Sequence, residues 1–247
     1  MQRVLLLTLA LLLTPLSWAE EEMTIYSELT FLSSAPGAEA ALEAALLEGP
    51  AAAGQAQANA GELFAWALYR VLYHHGDYTH VMIRQAIRRE GLSPLLQPST
   101  DDELRGLARR EGRVVYALEQ FHTNLALRDR PFLTAVFLQS QDGEGTQAVL
   151  ANRFGPALKT LIADEAGPAA YSQFRRRLPG AGGDHDRVMV LQYPSFEALW
   201  SSAPAEAAFK AHDDTLAAAE AALGDVATVV RSEQWQLVKV LTRQAPN

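Results

Sequence analysis

The stretch DHDRVMVLQ, Asp184 to Gln192, has a near copy 107 positions earlier, DYTHVMIRQ, Asp77 to Gln85. Both carry Asp first, a Val-Met-Val or Val-Met-Ile centre and a closing Gln. A short run rich in β-branched residues reads as a β-strand. In a strand, Arg187, Met189 and Leu191 point one way, and Val188, Val190 and Gln192 point the other. Both faces are largely apolar, so both need cover. A strand repeated in this form predicts an architecture in which one half covers the other.

The neighbouring elements recur in the same order. Met23–Ser33 and Pro131–Ser140 read as strands, each leading into a segment of helical composition, Ala38–Leu47 and Thr146–Glu165. Leu63–Tyr73 and Tyr171–Leu178 come next, joined to the repeated strands by the Gly-containing turns HHGD and PGAGGD. Further helices over Asp101–Arg110 and Pro204–Leu223 precede final strands over Val114–Thr123 and Val229–Leu241. Glu119-Gln120-Phe121 matches Glu233-Gln234-Trp235 at an offset of 114. The order β-α-β-β-α-β, met twice, is the split βαβ or ferredoxin-like unit. The expected fold is α+β: one unit over residues 23–127 and a second over 130–243. Their bare sheet faces close a single α+β barrel, which also protects the strand edges.

This layout resembles the dimeric α+β barrel superfamily, which includes antibiotic-biosynthesis-type and haem-degrading monooxygenases and stress-responsive barrel proteins. Most of those pair two chains, whereas this chain carries both units and is expected to be a monomer with an internal pseudo-dimer. Tyr193 to Asp214, YPSFEALWSSAPAEAAFKAHDD, is similar to the monooxygenase segment that follows the third strand. The resemblance implies that Trp200 shapes a pocket and that His212 ligates haem iron. The Asn that haem-degrading members place on the first strand occurs in neither MTIYSELTFLS nor PFLTAVFLQS. Without haem, Trp200 caps the core and His212 sits on a solvated helix face.

Other candidates come from the strands themselves. His80 falls at the register position of Arg187, and Arg84 at that of Leu191. If that face lines the barrel, His80, Arg84 and Arg187 bring polar groups into an apolar cavity, as ligand sites do. If it faces the helices, they sit at edges and reach water. A lumen filled by Met82, Met189, Phe137 and Trp235 would argue against any ligand. His122 and His185 stand alone and read as surface residues. In YSQFRRRL, Arg176 points opposite to Arg175 and Arg177, so at least one arginine faces an interior or cleft and meets a carboxylate. No zinc-type His spacing, phosphate loop, dinucleotide fingerprint or nucleophile elbow is present, so no metal site is expected.

The chain ends set the compartment. Arg3, the apolar run Val4–Leu13 and the small residues Ser17 and Ala19 predict a signal peptide over residues 1–19. That run is too short for a bilayer, which takes roughly 20 residues. The mature chain of 228 residues is therefore expected to be soluble and periplasmic or secreted, away from the membrane. A net charge of −8 excludes a general nucleic-acid binder. The absence of cysteine removes disulfides, thiolate chemistry and thiol redox function. The leading expectation is a binding protein for a small, partly apolar molecule between the sheets, with no cofactor. A monooxygenase, with or without haem, and a structural or interaction module without a pocket are the alternatives.

Overall fold

The computed structural model describes residues 24–73, 78–87, 92, 104, 106–124, 130–163, 168–178, 184–200 and 215–243. The expected signal segment, the HHGD turn and most of PGAGGD lie outside them. Eight strands run β1 (Tyr26–Ser34), β2 (Ala65–Tyr73), β3 (His80–Ala86), β4 (Ala108–Thr123), β5 (Phe132–Ser140), β6 (Ala170–Leu178), β7 (Arg187–Tyr193) and β8 (Ala227–Thr242). The helices are α1 (Glu39–Ala60), α2 (Gly143–Val149), α3 (Gly155–Ala163), α4 (Phe196–Trp200) and α5 (residues 215–224). Among the described residues no helix is long and apolar enough to cross a membrane.

All eight pairings are antiparallel, and the strand order β1-β3-β2-β8-β5-β7-β6-β4 closes on itself. Every strand therefore has two partners and no edge is left bare. In the first half Leu32 stands opposite His80 and Arg110; in the second, Leu138 stands opposite Arg187 and Val229. Because neighbours alternate in direction, β1 and β5, four places apart, run the same way. Matching positions of the two halves consequently lie at the same end of the ring.

Two sequence expectations about helices change. The helix expected over Asp101–Arg110 is overtaken by β4, because residues 108–110 already pair with β1. Gly106, at φ +85, sits just ahead of that strand in the left-handed region that glycine adopts freely. The helix expected over Thr146–Glu165 begins earlier, at Gly143, where the Asp142 side chain accepts from the Glu144 N–H. It passes through a π-helical turn, Leu150–Phe154, just before Pro156. Proline has no N–H to give the carbonyl four residues back, which favours the wider turn there.

Three apolar clusters divide the molecule. α1 covers the outer face of the first half, with Leu42 and Leu46 packed against Leu32, Trp66 and Leu68. Gly54 permits this approach, since a Cβ there would stand 2.6 Å from the Trp66 ring. α2, α3 and α5 cover the second half, with Leu150, Leu158, Leu161 and Leu216 against Leu138, Tyr171 and Met189. The third cluster fills the ring itself: Leu29, Phe31, Tyr69, Tyr78, Val81, Tyr116, Phe137, Phe174, Val188 and Trp235. Each such side chain contributes about 1.5–3 kcal/mol by leaving water.

Candidate functional site in the barrel lumen

The face question resolves against the lumen for the strand residues singled out from sequence. Val81, Ile83, Val188 and Val190 point inward, whereas Met82 and Met189 pack under the helices. His80, Arg84 and Arg187 share that helix-facing side. They are buried rather than reaching water, with carboxylates pairing both arginines and Glu43 standing near His80. His80 takes Thr79 Oγ1 at 2.9 Å on Nδ1, and its Nε2 stands 3.6 Å from Glu43 of α1. Arg84 pairs with Glu28 and donates to the Leu92 carbonyl at 3.1 Å, and Arg113 completes the pair on Glu28. Arg187 donates to Glu119, to Gln147 Oε1 at 2.6 Å and to the Gly143 carbonyl at 3.2 Å. Alternation in sequence separates the two faces of a strand, but it does not say which one receives the helices.

Trp200 lies outside the ring on α4, half exposed, with Tyr73 at 5.0 Å and Phe196 at 5.9 Å between ring centroids. His212 lies outside the described residues. The four described candidates therefore do not converge on one place.

Sequence reasoning missed what does converge. His185, read as a surface residue, is 2% exposed. It occupies the position in the second half that Tyr78 occupies in the first, one residue before the segment that hydrogen-bonds Leu138 (Leu32 in the first half). The Glu119–Glu233 match fails for a related reason. The register puts Val229 at the place of Arg110, an offset of 119, so Glu233 corresponds to Val114. Glu233 points into the ring while Glu119 points out to Arg187.

At the end carrying the β2–β3 and β6–β7 connections, rings plug the lumen. Phe31 lies 4.7 Å from Tyr78, 6.4 Å from Phe137 and 6.5 Å from Trp235. Phe137 and Trp235 do meet at the centre, 6.4 Å apart, so no ligand fits between them. Around this plug runs a continuous polar network. Glu233, fully buried, accepts from the Tyr78 hydroxyl, from Arg231 Nε at 2.8 Å and from Trp235 Nε1 at 2.9 Å. Arg231 lies 3.9 Å above the Phe137 ring and reaches Asp184 at 3.2 Å. Asp184 in turn meets His185 Nδ1 at 2.9 Å, and His185 Nε2 meets the Tyr116 hydroxyl at 2.6 Å. Arg176 donates to the His185 carbonyl at 3.1 Å.

Carboxylates only accept, so Nδ1 carries the His185 proton and Nε2 accepts from Tyr116. Burial pushes the His185 imidazole below its ordinary range, and Asp184 only partly offsets this. Burial likewise raises Tyr116, and burial together with Glu233 raises Tyr78. For Asp184 burial works upward, but the His185 hydrogen bond and Arg231 leave it below the usual carboxylate range. The network thus holds two neutral phenols, a neutral imidazole and charges that are mutually paired.

The opposite end differs. Ile83, Leu118, Val190 and Leu237 face inward there yet keep partial exposure. They are two matched pairs under the register, Ile83 with Val190 and Leu118 with Leu237. Gln85 and Gln192 form a third pair beside them. Gln85 donates to Ser27 Oγ at 3.0 Å, and Gln192 hydrogen-bonds Tyr69, whose hydroxyl burial pushes up to about 12. A partly exposed apolar ring with two amides and one buried phenol is the composition of a small-molecule site.

His80 and His185 fix a pH dependence. Each is depressed from a usual value of 6.5, so the unfolded chain binds the proton that the folded chain refuses. Stability is expected to be fully present above about pH 6.5 and to fall as pH drops through the imidazole range. Urea midpoints between pH 7.5 and 5 measure it. His185→Gln should flatten the slope, and an unchanged slope would show that His185 is not held neutral.

Haem was tested against the described histidines. His185 has both nitrogens engaged, whereas the Nε2 atoms of His80 and His122 lack a hydrogen-bond partner but are buried on the helix-covered side, one beneath α1 near Glu43 and the other with its ring stacked on Tyr171. The described residues thus offer the lumen no free histidine nitrogen. Among them no cluster of three or more His, Asp or Glu forms a metal site.

No protein-family model matches the sequence, and neither does any curated protein. Solved structures do match the fold. An anthrone oxidase-like protein aligns with a TM-score of 0.63 at 16% identity, over 91% of this chain and 95% of its own. A protein provisionally assigned as a chlorite dismutase gives 0.56 at 14%, over 88% and 96%. A haem-binding protein from Thermus thermophilus gives 0.52 at 10%, over 87% and 93%. At these identities the likeness concerns the fold alone, a mixed α+β fold of ferredoxin-like type.

Proposed function

We propose that this chain binds a small, partly apolar, aromatic molecule at the open end of the lumen, with Gln85, Gln192 and Tyr69 orienting its polar groups. One observation carries the reading: four inward-facing aliphatic side chains, Ile83, Leu118, Val190 and Leu237, remain partly exposed at the end that the aromatic plug leaves free. A packed structural module would bury them. The repeat supports a tandem of two ferredoxin-like units in one chain, and the N-terminal run supports export to the periplasm or the medium.

Oxidation of that ligand by a monooxygenase-type reaction is the second reading. It is favoured by the hydrogen-bonded Tyr116–His185–Asp184 set beside the same lumen and by the name of the anthrone oxidase-like neighbour. A haem-dependent version rests on His212 and on the named haem-binding neighbour. A hemin titration whose Soret shift survives in His212→Ala, or never occurs, removes it.

Calorimetric titration with 2-naphthol, a flat apolar ring with one hydroxyl, tests the site. Saturable one-to-one binding is expected, weakened about tenfold or more by Leu237→Arg, since a tenfold loss needs only about 1.4 kcal/mol. Leu237 is partly exposed, so circular dichroism should show the variant folded. Absence of saturable binding, or equal binding by the variant, would reject the open-end site.

A further inference from the structure

We infer that Tyr116 is a one-electron redox centre whose proton is received inside the protein by His185, and that an aromatic path connects it to Tyr69 at the open end. Losing an electron makes a phenol a very strong acid, so a buried tyrosine oxidises readily only if a base already accepts its hydrogen bond. Tyr116 has such a base at 2.6 Å, and the Asp184 carboxylate, 2.9 Å from Nδ1, steadies the imidazolium that forms. Its burial keeps His185 neutral and hence able to accept.

The charges facing this pair come from three elements. Asp184 precedes β7 and favours imidazolium; Arg176 of β6 and Arg231 of β8 oppose it; Glu233 of β8 offsets Arg231. From His185 the rings continue to Phe137 at 4.8 Å, from Phe137 to Trp235 at 6.4 Å, and from Trp235 to Tyr69 at 6.0 Å. Trp235 has its own acceptor in Glu233 at 2.9 Å. Asp184 is more than half exposed and opens the network to solvent at the plugged end.

The step balances as follows. A one-electron oxidant at the plugged end takes one electron from Tyr116, and the phenolic proton moves to His185 Nε2. The Tyr116 radical then takes an electron through Trp235 and Tyr69 from an electron-rich phenol at the open end. It recovers its proton from His185, while the phenol, oxidised by one electron, releases its hydroxyl proton to solvent and leaves as a phenoxyl radical. The chain contains no cysteine, and this path runs through ring side chains alone. Only this last transfer rests on the ligand reading above; Tyr116 oxidation stands without it.

The test uses the full mature chain with hexachloroiridate(IV) as oxidant and freeze-quench paramagnetic resonance as readout. A neutral tyrosyl signal is expected, and Tyr116→Phe, which keeps the ring, should remove it. His185→Gln should raise the midpoint potential by at least about 60 mV, equivalent to tenfold for one electron. A signal that survives Tyr116→Phe, or a potential unmoved by His185→Gln in a folded variant, overturns the proposal. A ligand-free check is the nitrogen shift of His185: protonation at Nε2 rather than Nδ1 would also overturn it. If the radical forms but added 2-naphthol does not quench it faster than in Trp235→Phe, the path to the open end fails while the redox centre remains. Failure of naphthol to bind at all condemns the ligand reading instead.

Discussion

Trp235→Ala is expected to remove about 3–5 kcal/mol of stability, the cost of truncating a buried aromatic ring. Trp235 is fully buried and packs against Phe31, Tyr69 and Phe137, so its loss leaves a void ringed by aromatics that cannot collapse independently. The indole N–H also saturates Glu233, and that carboxylate would lose one of its three donors. An under-satisfied buried acceptor adds roughly 1–3 kcal/mol. Against a typical total of about 5–15 kcal/mol, the variant should be marginal at best. Trp235→Phe separates the two terms, because it restores most of the volume but not the donor. Urea denaturation measures both; a loss below about 1 kcal/mol for the alanine variant would mean the plug is not packed as described.

Arg187→Met should be comparably damaging for a different reason. The Arg187 side chain is wholly buried and joins β7 to Glu119 of β4, to Gln147 and Gly143 of α2 and to Ser140 at the end of β5. Methionine fills much of the volume but leaves Glu119, only 12% exposed, without its cation. Breaking a buried pair on one side typically costs about 3–5 kcal/mol, whereas replacing both partners by apolar residues is often close to neutral. Arg187→Met combined with Glu119→Leu should therefore recover a large part of the loss, and the double-mutant cycle measures the coupling. The exposed Arg70–Glu43 pair supplies the contrast: Arg70→Met should cost under about 1 kcal/mol. Equal costs at both places would mean that burial does not govern these pairs.

The strands were legible because their signals are local. Val-Met-Val, Phe-Leu-Thr-Ala-Val-Phe and their counterparts carry β-propensity and turn residues within a few positions. The repetition of the series pointed to one half of the strands covering the other, and the eight strands close into one ring. The site was less legible, and three residues show why. Arg187 sits on a strand whose faces are equally apolar, so period-two alternation could not decide between helix and lumen. Glu233 was matched to Glu119 by a three-residue likeness. Strand pairing assigns it to Val114 instead, because register depends on bulges and partner strands, the bulge between Phe137 and Leu138 among them. His185 looked solitary because its partner Tyr116 is 69 positions away, and Arg231, which pairs with the neighbouring Asp184, is 46 positions away.

The sequence by itself determined the strand set, the recurrence of the Asp77–Gln85 pattern at Asp184–Gln192, the acidic charge and the absence of thiol chemistry, since each is a property of single residues or of spacings along the chain. Only the tertiary structure decided which face became the interior, which end of it took the aromatic plug and which kept partly exposed aliphatic side chains. It alone joined Tyr116, His185, Asp184, Arg231 and Glu233 into one network. Those outcomes come from closing the sheet on itself, where register, bulges and helix cover fix side chains in three dimensions, and no local pattern carries that information.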